Sequence, residues 1–195
     1  NAVLGMLELL EHAGLDEEKL RILTIARQSA SSLLEIINDI LDFSKIEAGR
    51  LEVTPAPMSL RAVVNATFAA CADGASAKGL LFTVEWDPGV APALVGDALR
   101  IKQILFNLVS NAIKFTERGS ITIATRVAED FDDRQSVSIE IRDTGIGIDV
   151  ATQPRLFEPF VQAESDTTRR FGGTGLGLSI SKRLAGLMGG SLTIQ

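Results

Sequence analysis

The sequence contains little of the residue types that form disulfides, metal sites, membrane spans or nucleic-acid interfaces. Of its 195 residues one is cysteine, Cys71, and one is histidine, His12. A single cysteine excludes an internal disulfide and a metal site built from several cysteines. No apolar run reaches the roughly 18 residues that span a bilayer, and no basic tract indicates nucleic-acid binding. We therefore expect a soluble chain in a reducing, cytoplasmic compartment, with no nucleic-acid partner and no membrane contact through these residues.

The overall composition indicates a globular protein whose net field is slightly repulsive to anions. Hydrophobic residues make up 46% of the chain, and the formal net charge is -6. Both values are typical of a folded domain rather than a disordered one. If such a chain binds a polyanion, a metal ion, a few cations or helix N-termini must compensate the charge locally.

Residues 1–48 are predicted to form two helices. The first ends near Gly14, and the second begins at Asp16 and ends before Gly49. The apolar stripe of the second helix is too wide for a lone hairpin to cover, so we predict a homodimer through residues 1–48 that forms a four-helix bundle. The alternative is packing of the stripe onto the rest of the same chain. The stripe consists of Leu23, Ala26, Ala30, Leu33, Leu34, Ile37, Ile40 and Leu41.

The rest of the chain is predicted to be a second domain, residues 59–195, after a linker over residues 49–58 that Pro55 and Pro57 stiffen. Helical and strand-like segments alternate in it, which indicates helices packed on a sheet. Residues 149–172 follow neither period and are predicted to be a lid loop. The predicted helices are 59–77, 97–115 and 175–188, and the predicted strands are 81–85, 121–127, 137–142 and 192–194.

A predicted helix capped by Asp97 carries three polar side chains on one face. Asn107, Asn111 and Lys114 recur at helical spacing, opposite the apolar residues. Mg²⁺ prefers hard oxygen ligands and takes few protein groups beside phosphate oxygens, which suits an asparagine carbonyl. The Lys114 ammonium would neutralise phosphate. The alternative is an ordinary solvated polar face.

Asp143 follows a predicted strand and precedes a turn that contains Gly145 and Gly147. The glycines allow the backbone to approach a ligand closely. A carboxylate at this place can accept a hydrogen bond from the exocyclic amine of adenine, whereas guanine presents a carbonyl oxygen and would leave the carboxylate unpaired. The alternative is an ordinary hairpin turn with a capping aspartate.

Gly173, Gly175 and Gly177 form a glycine-rich segment that runs into the last predicted helix. Exposed N–H groups at the positive end of a helix bind anions, so this segment is a candidate phosphate site. The glycine spacing differs from that of the dinucleotide fingerprint, and no Gly-Lys-Ser/Thr follows as in a P-loop.

Three residues of the predicted lid are further candidates. Phe157 and Phe160 are predicted to anchor the lid to the domain, with plain core packing as the alternative. Arg169 lies just before the glycines and would reach the terminal phosphate when the lid closes. The alternative for Arg169 is a surface residue that serves solubility.

In this order, the motifs resemble the N, G1, F and G2 boxes of bacterial two-component sensor histidine kinases. The resemblance implies an α+β fold: a helical hairpin that dimerises into a four-helix bundle, then an α/β sandwich whose mixed sheet is covered by helices. The motifs are Asn107-Leu-Val-Ser-Asn111-Ala-Ile-Lys114, Asp143-Thr-Gly-Ile-Gly147, Phe157-Glu-Pro-Phe160 and Gly173-Thr-Gly-Leu-Gly177, and Asp42-Phe-Ser-Lys-Ile-Glu-Ala-Gly49 is similar to the end of the dimerisation helix of the hybrid type.

The resemblance also implies an activity and a set of roles. ATP and Mg²⁺ would be the cofactors, and the γ-phosphoryl would pass to a histidine and then to an aspartate of a receiver domain, in cis or in trans. Asn111 would be the main magnesium ligand with Asn107 beside it, and Lys114 would contact phosphate. Asp143 would bind the adenine amine, and Arg169 would be the lid arginine.

The phosphoacceptor of the resembled family is not found in this sequence. It lies in a His-Glu-x-Arg-Thr-Pro motif, and Asn1-Ala-Val-Leu-Gly5 resembles the residues that follow that motif. We therefore expect the acceptor about two helical turns before Asn1, and the final strands of the sandwich after Gln195, in a parent protein whose membrane attachment stays open. His12 has none of the motif around it, so no catalytic acceptor is assigned within the chain.

Two other functions compete with kinase activity. ATP hydrolases of the same fold use a glutamate one helical turn before the metal-binding asparagine to activate water. That position is Asn107 here, and an amide cannot accept the proton, so we predict negligible hydrolysis. The other rival is a module that holds ATP and signals through dimer geometry without chemistry.

Overall fold

The computed structural model describes residues 5–7, 10, 16–161 and 175–194, without the side chains of residues 28 and 35. It consists of two compact units, Asn1–Leu51 and Glu52–Gln195. The first unit is helical, and the second combines helices with two small sheets. None of the described helices is long and apolar enough to cross a membrane.

The first unit contains one long helix, α1 (Glu17–Glu47). Its start is as predicted, because the carboxylate of Asp16 accepts a hydrogen bond from the backbone N–H of Lys19 at 2.9 Å. Its end is also as predicted. Gly49 adopts the left-handed conformation with φ 64°, and the N–H of Arg50 donates to the carbonyl of Lys45 at 2.8 Å, which closes the last turn.

The apolar stripe of α1 is largely exposed to solvent in the single chain. Leu23 is buried, but Leu33 is 57% exposed and Leu41 is 51% exposed. Of the predicted first helix, residues 5–7 and 10 are helical, and residues 1–4, 8–9 and 11–15 lie outside the described part of the chain. Large exposed apolar side chains occur along most of α1: Leu20, Ile22, Ile25, Leu33, Ile36, Ile37, Ile40 and Leu41.

The second unit has the predicted α+β architecture. Strand β2 (Leu81–Trp86) runs parallel to β4 (Ser120–Asp130), and β4 runs antiparallel to β5 (Gln135–Asp143), so the main sheet is mixed. A smaller sheet pairs β1 (Ala56–Met58) with β3 (Leu94–Gly96). The described elements are β1 (Ala56–Met58), α2 (Leu60–Ala77), β2 (Leu81–Trp86), β3 (Leu94–Gly96), α3 (Ala98–Phe115), β4 (Ser120–Asp130), β5 (Gln135–Asp143), a 3-10 helix (Gln153–Phe157) and α4 (Gly177–Leu187).

The core of the second unit lies between the sheet and the helices α2 and α3. Val64 of α2, Val109 of α3 and Ile123 of β4 are fully buried and pack in one apolar cluster. The sheet register places Asp143, the last residue of β5, opposite Ile121 at the start of β4. The predicted nucleotide-binding residues of α3 and β5 are therefore carried by elements that the core holds in place.

One predicted strand is wrong. Residues 192–194 lie outside any helix or strand. The alternation of apolar and polar residues that predicted a strand is matched by an alternation of burial. Leu192 and Ile194 are partly buried, and Thr193 is exposed. Alternation alone does not make a strand, because a strand also requires hydrogen bonds to a neighbouring strand.

Other segments also differ from the prediction, and strand β3 (Leu94–Gly96) was not predicted. Residues 56–58, in the predicted linker, form strand β1 and pair with β3 through Ala56 opposite Gly96. The predicted lid, residues 149–172, begins with a turn and the 3-10 helix Gln153–Phe157, and its residues from 162 onward lie outside the described part of the chain. Strand β1 shows that a short proline-containing segment can pair at the edge of a sheet.

Asp97 caps the start of α3 and is buried between this helix and the segment that contains Thr54. One carboxylate oxygen accepts the N–H of Arg100 at 3.1 Å, and the other accepts the N–H of Thr54 at 3.0 Å. Burial by itself raises the pKa of the Asp97 carboxyl, but these two hydrogen bonds and the Arg100 charge outweigh it and hold the pKa below its usual value.

We expect Asp97→Ala to lower the free energy of unfolding at neutral pH by about 1 to 2 kcal/mol, the cost of losing an N-cap. Because the folded-state pKa is depressed, this stabilisation is present above the unfolded-state pKa near 4 and is lost as pH falls through the folded-state pKa. Urea unfolding at neutral and acid pH tests it. Asp97→Asn is the control, since asparagine caps helices without titrating, and an alanine deficit that persists unchanged in acid would contradict the assignment.

Candidate nucleotide-binding site

Helix α3 is the element around which the candidate site is built. Its apolar face, with Leu105 and Val109, is buried in the core, and the opposite face carries Asn107, Asn111 and Lys114. The helix packs against α2, α4 and β5. The polar face predicted from the sequence is thus oriented by burial of the apolar face, as amphipathic spacing requires.

Asn107 and Asn111 are joined by hydrogen bonds to each other and to α4. The Asn107 Nδ2 donates to the Oγ of the buried Ser181 at 2.9 Å, and the Asn111 Nδ2 donates to the Asn107 Oδ1 at 3.5 Å. Among the described residues, the Asn111 Oδ1 has no hydrogen-bond partner. This network engages Asn107 on both sides and leaves the Asn111 amide oxygen available to a ligand.

The first turn of α4 lies directly on the Asn107 amide. A Cβ built on Gly177 would overlap the Asn107 Oδ1. A side chain at this position would therefore force the Asn107 amide to move. Gly177 and Ser181 are one helical turn apart, so both contact Asn107 from the same face of α4.

The turn after β5 is held against the end of α3. The Asp143 Oδ1 accepts the N–H of Gly145 at 2.8 Å, and the N–H of Ile146 donates to the carbonyl of Phe115 at 3.3 Å. A Cβ on Gly145 would lie 2.6 Å from that same carbonyl oxygen. Asp143 itself is exposed, so its second oxygen can accept a hydrogen bond from a ligand.

Lys114 belongs to the turn of α3 that precedes this contact. Burial lowers the pKa of the Lys114 ammonium, and the Nζ lies 4.9 Å from the centre of the Phe115 ring. An ammonium that is partly desolvated gains more from a bound anion than a fully hydrated one does. Lys114 is therefore suited to contact a phosphate group.

Among the described residues, the N-cap position of α4 gives no side-chain hydrogen bond to the helix. That position is Leu176, which is buried. Gly175, with φ 69°, packs against the backbone of Phe160, whose N–H donates to the Gly175 carbonyl at 3.1 Å. Uncapped N–H groups at a helix start can bind an anion.

The two phenylalanines of the predicted lid have different environments. The Phe157 ring is partly buried and lies 4.3 Å from the Lys182 Nζ, whereas Phe160 is 66% exposed with a φ of 63°. The alternative of core packing is thus wrong for the Phe160 ring. Phe160 contacts Gly175 through its backbone instead. Leu156 is the buried side chain of the 3-10 helix.

The structure brings six of the twelve predicted site residues together along α3. Asn107, Asn111 and Gly177 are in contact, and Asp143 and Gly145 are joined to the end of the helix that carries Lys114. Gly147 has a φ of 71°, and nothing lies within 4 Å of a Cβ built on it. Glycine is therefore favoured there by the backbone conformation and not by close approach. Arg169 and Gly173 lie outside the described residues.

Sequence reasoning missed two groups that shape this site. Ser181 was overlooked, although it lies four residues after Gly177 and helical spacing places it on the same face. The carbonyl of Phe115 has no signature in the sequence, because any residue supplies a backbone carbonyl. Among the described residues there is no cluster of three histidine, cysteine, aspartate or glutamate side chains that could hold a metal ion.

Replacing Gly145 with alanine is expected to lower the free energy of unfolding by about 1 to 3 kcal/mol. The reason is the clash with the Phe115 carbonyl, which belongs to the backbone and cannot move aside as a side chain would. The same displacement moves Asp143, so ATP affinity should fall about tenfold or more. Chemical denaturation and nucleotide titration measure the two effects.

The matched control is Gly74→Ala in helix α2, where nothing lies within 4 Å of the built Cβ. It is expected to leave ATP affinity unchanged and to stabilise the helix by roughly 0.5 to 1 kcal/mol. Equal behaviour of the two variants would contradict the contact between the turn and α3.

Comparison with known families identifies both units. The family profile described as "Histidine kinase-, DNA gyrase B-, and HSP90-like ATPase" matches residues 96–195, and the "His Kinase A (phospho-acceptor) domain" matches residues 1–49. The two matches fall in the second and the first compact unit, respectively.

Similar proteins match the whole chain or nearly all of it. The chain is 45% identical over all its 195 residues to sensor histidine kinase GacS of Pseudomonas protegens, and 42% identical over the same length to signal transduction histidine-protein kinase BarA of Escherichia coli. It spans 21% of the length of each. The solved structure of full-length ShkA in complex with AMPPNP superimposes with a TM-score of 0.74 and 33% identity, over 96% of this chain and 38% of that one.

Proposed function

We propose that this chain, which belongs to the family of sensor histidine kinases, is the ATP-dependent kinase core of a two-component signalling protein. The γ-phosphoryl of ATP would pass to a histidine of the dimerisation helices and then to an aspartate of a receiver domain. The proposed domains are the hairpin 1–48, the linker 49–58 and the ATP-binding domain 59–195. Use of ATP and the lone free Cys71 fit a cytoplasmic location.

The single observation that carries the proposal is that α3 contacts two separate nucleotide-recognition elements. Along its polar face, Asn107 contacts α4, and at its end the Phe115 carbonyl holds the turn after Asp143. One rigid helix would therefore set the distance between the adenine contact at Asp143 and the phosphate contacts. A nucleotide spans such a distance, and fixed spacing of this kind favours one bound geometry.

The residues have distinct proposed roles. Asp143 accepts a hydrogen bond from the adenine amine, and Gly145 and Gly147 shape the turn that presents it. Lys114 and the N-terminus of α4, with Gly173, Gly175 and Gly177, contact the phosphates. In the lid, Arg169 is proposed to contact the terminal phosphate, and Phe157 and Phe160 are proposed to anchor the lid to the domain.

The donor set fits magnesium as it would be held with ATP. The Asn111 Oδ1 is the oxygen without a partner among the described residues, and Asn107 lies beside it and orients its amide. A hard ion that takes one or two protein oxygens and otherwise binds phosphate and water suits this arrangement. When bound, Mg²⁺ would neutralise charge on the transferring phosphoryl group, and the side chains would position it.

The exposed stripe of α1 supports homodimerisation through residues 1–48. Side chains such as Ile22, Leu33 and Ile40 remain exposed in the single chain, and a contiguous apolar face of this length is normally covered by a partner. A second copy would cover it by forming the proposed four-helix bundle.

The environment of Asn107 weighs against ATP hydrolysis as the main activity. A water-activating group must be able to accept a proton, and an amide cannot. The Asn107 amide is also occupied by Ser181 and Asn111. The remaining rival, ATP binding without chemistry, differs from the kinase in leaving no phosphate on protein.

Incubating the full-length parent protein with γ-labelled ATP and Mg²⁺ tests the proposal. We expect labelled protein whose phosphate is labile in acid and stable in base, as phosphohistidine is. A site at His12 is not expected, so His12→Gln should keep the label. Rapid steady release of inorganic phosphate without labelled protein would instead support a hydrolase, and ATP binding without either product would support the binding module.

A further inference from the structure

The carbonyl groups at the end of α3 are bound from outside the helix. The last four carbonyls of an α-helix have no hydrogen-bond partner within the helix. Here the Ala112 carbonyl accepts the N–H of Thr116 at 3.0 Å, and the Phe115 carbonyl accepts the N–H of Ile146 at 3.3 Å. The carbonyls of Ile113 and Lys114 lie between them in the chain.

Lys78, at the end of α2, binds the carbonyls that remain. Its Nζ donates to the carbonyl of Ile113 at 2.6 Å and to that of Lys114 at 3.0 Å, and it lies 3.4 Å from the Thr116 carbonyl. A lysine ammonium has three N–H donors and no acceptor. Its positive charge also lies at the negative end of the helix dipole, where a cation is stabilising.

We propose that Lys78 is a positioning residue for the nucleotide site, an inference that rests on the proposed function. The turn that Lys78 caps is the same turn that supplies the Lys114 side chain and the Phe115 carbonyl. If this turn frays, Lys114 loses its fixed direction and the Gly145 turn loses its attachment. Both the phosphate contact and the adenine contact would then weaken, although Lys78 contacts neither the base nor the phosphates.

Loss of the Lys78 cap is expected to affect the nucleotide site because the last turn of α3 also holds the turn that follows Asp143. Loss of the ammonium exposes two carbonyls to water, which an ordinary surface helix tolerates. Here the next carbonyl along, that of Phe115, anchors the Ile146 N–H at 3.3 Å. Fraying by one residue therefore reaches the turn that carries Asp143.

The experiment compares Lys78→Met, which keeps the aliphatic stem, with Lys78→Arg, which keeps charge and donors. Lys102→Met is the matched control, because Lys102 is an exposed lysine near the start of α3, far from the end that Lys78 caps. Hydrogen exchange of the Thr116 and Ile146 amides is measured without nucleotide, and ATP affinity is measured by titration at a temperature where all variants are folded.

Lys78→Met is expected to weaken ATP binding about tenfold, the factor by which loss of one hydrogen bond to a charged group would shift the last turn of α3 from its formed to its frayed state. It should also accelerate exchange of the Thr116 and Ile146 amides by a similar factor, about tenfold. Lys78→Arg should stay within about threefold of the unsubstituted protein in affinity, since it retains charged donors, and Lys102→Met should change neither quantity.

Unchanged exchange in Lys78→Met would overturn the inference, and so would faster exchange with ATP affinity equal to that of Lys102→Met, because the cap would then be purely structural. The proposed function is judged separately. If the unsubstituted protein binds no ATP, that function fails, whereas the exchange experiment reports on the cap with no nucleotide present.

Discussion

Asp143→Asn is expected to weaken ATP binding by about a hundredfold or more, because a charge-assisted hydrogen bond is lost and two donors are left facing each other. One oxygen of Asp143 is already occupied by the Gly145 N–H at 2.8 Å. Asparagine can keep that bond with its own oxygen, but it then turns an NH₂ group toward the adenine amine. The turn should therefore remain intact while recognition of the base fails.

Titration of the variant with ATP and with GTP measures this effect. Asp130→Asn, an exposed aspartate at the other end of the sheet's hairpin, is the control for loss of one negative charge and should bind ATP normally. Because the asparagine amide can donate to the guanine oxygen, the preference for ATP over GTP should also shrink. ATP affinity within threefold of the unsubstituted protein would remove Asp143 from the adenine site.

Asn111→Ala is expected to reduce histidine phosphorylation by roughly a hundredfold to a thousandfold, the range seen when one preorganised electrostatic contact is removed. The Asn111 Oδ1 is the amide oxygen left available by the network with Asn107 and Ser181. Without it, Mg²⁺ and the γ-phosphoryl lose their fixed position on α3. ATP affinity should fall less than the rate, since adenine contacts at Asp143 remain.

The measurement is the initial rate of phosphorylation of the parent protein over a range of Mg²⁺ concentrations. Asn65→Ala, an exposed asparagine of α2, controls for loss of a surface amide and should leave the rate unchanged. Asn111→Asp is expected to alter the Mg²⁺ dependence, because it would place a negative charge beside the phosphates. A normal rate at low Mg²⁺ in Asn111→Ala would show that this side chain does not hold the metal.

Features that depend on neighbouring residues could be predicted from the sequence. The predicted starts of three helices are correct, those at Asp16, Ser59 and Asp97. In each helix the side chain of this residue accepts a hydrogen bond from the backbone N–H three residues later. The polar face of α3 follows from helical spacing, and β5 ends at Asp143 because its alternation ends there. These are local consequences of residue type and period.

Contacts between distant segments could not be predicted in this way. The Asn107 to Ser181 bond joins residues 74 positions apart, and the approach of Gly145 to the Phe115 carbonyl depends on backbone geometry. The conformation of Phe160, with φ 63°, runs against the preference of a bulky residue and is set by its neighbours. Residues 192–194 show the converse case, in which a local pattern lacked a pairing partner.

Calorimetric titration of the chain with MgATP and MgGTP tests the central claim most directly. The proposed site predicts saturable binding of MgATP with one nucleotide per chain, and binding of MgGTP weaker by about a hundredfold, since guanine places a carbonyl oxygen against the Asp143 carboxylate. Equal affinity for the two nucleotides, or no binding of MgATP by the folded protein, would contradict it.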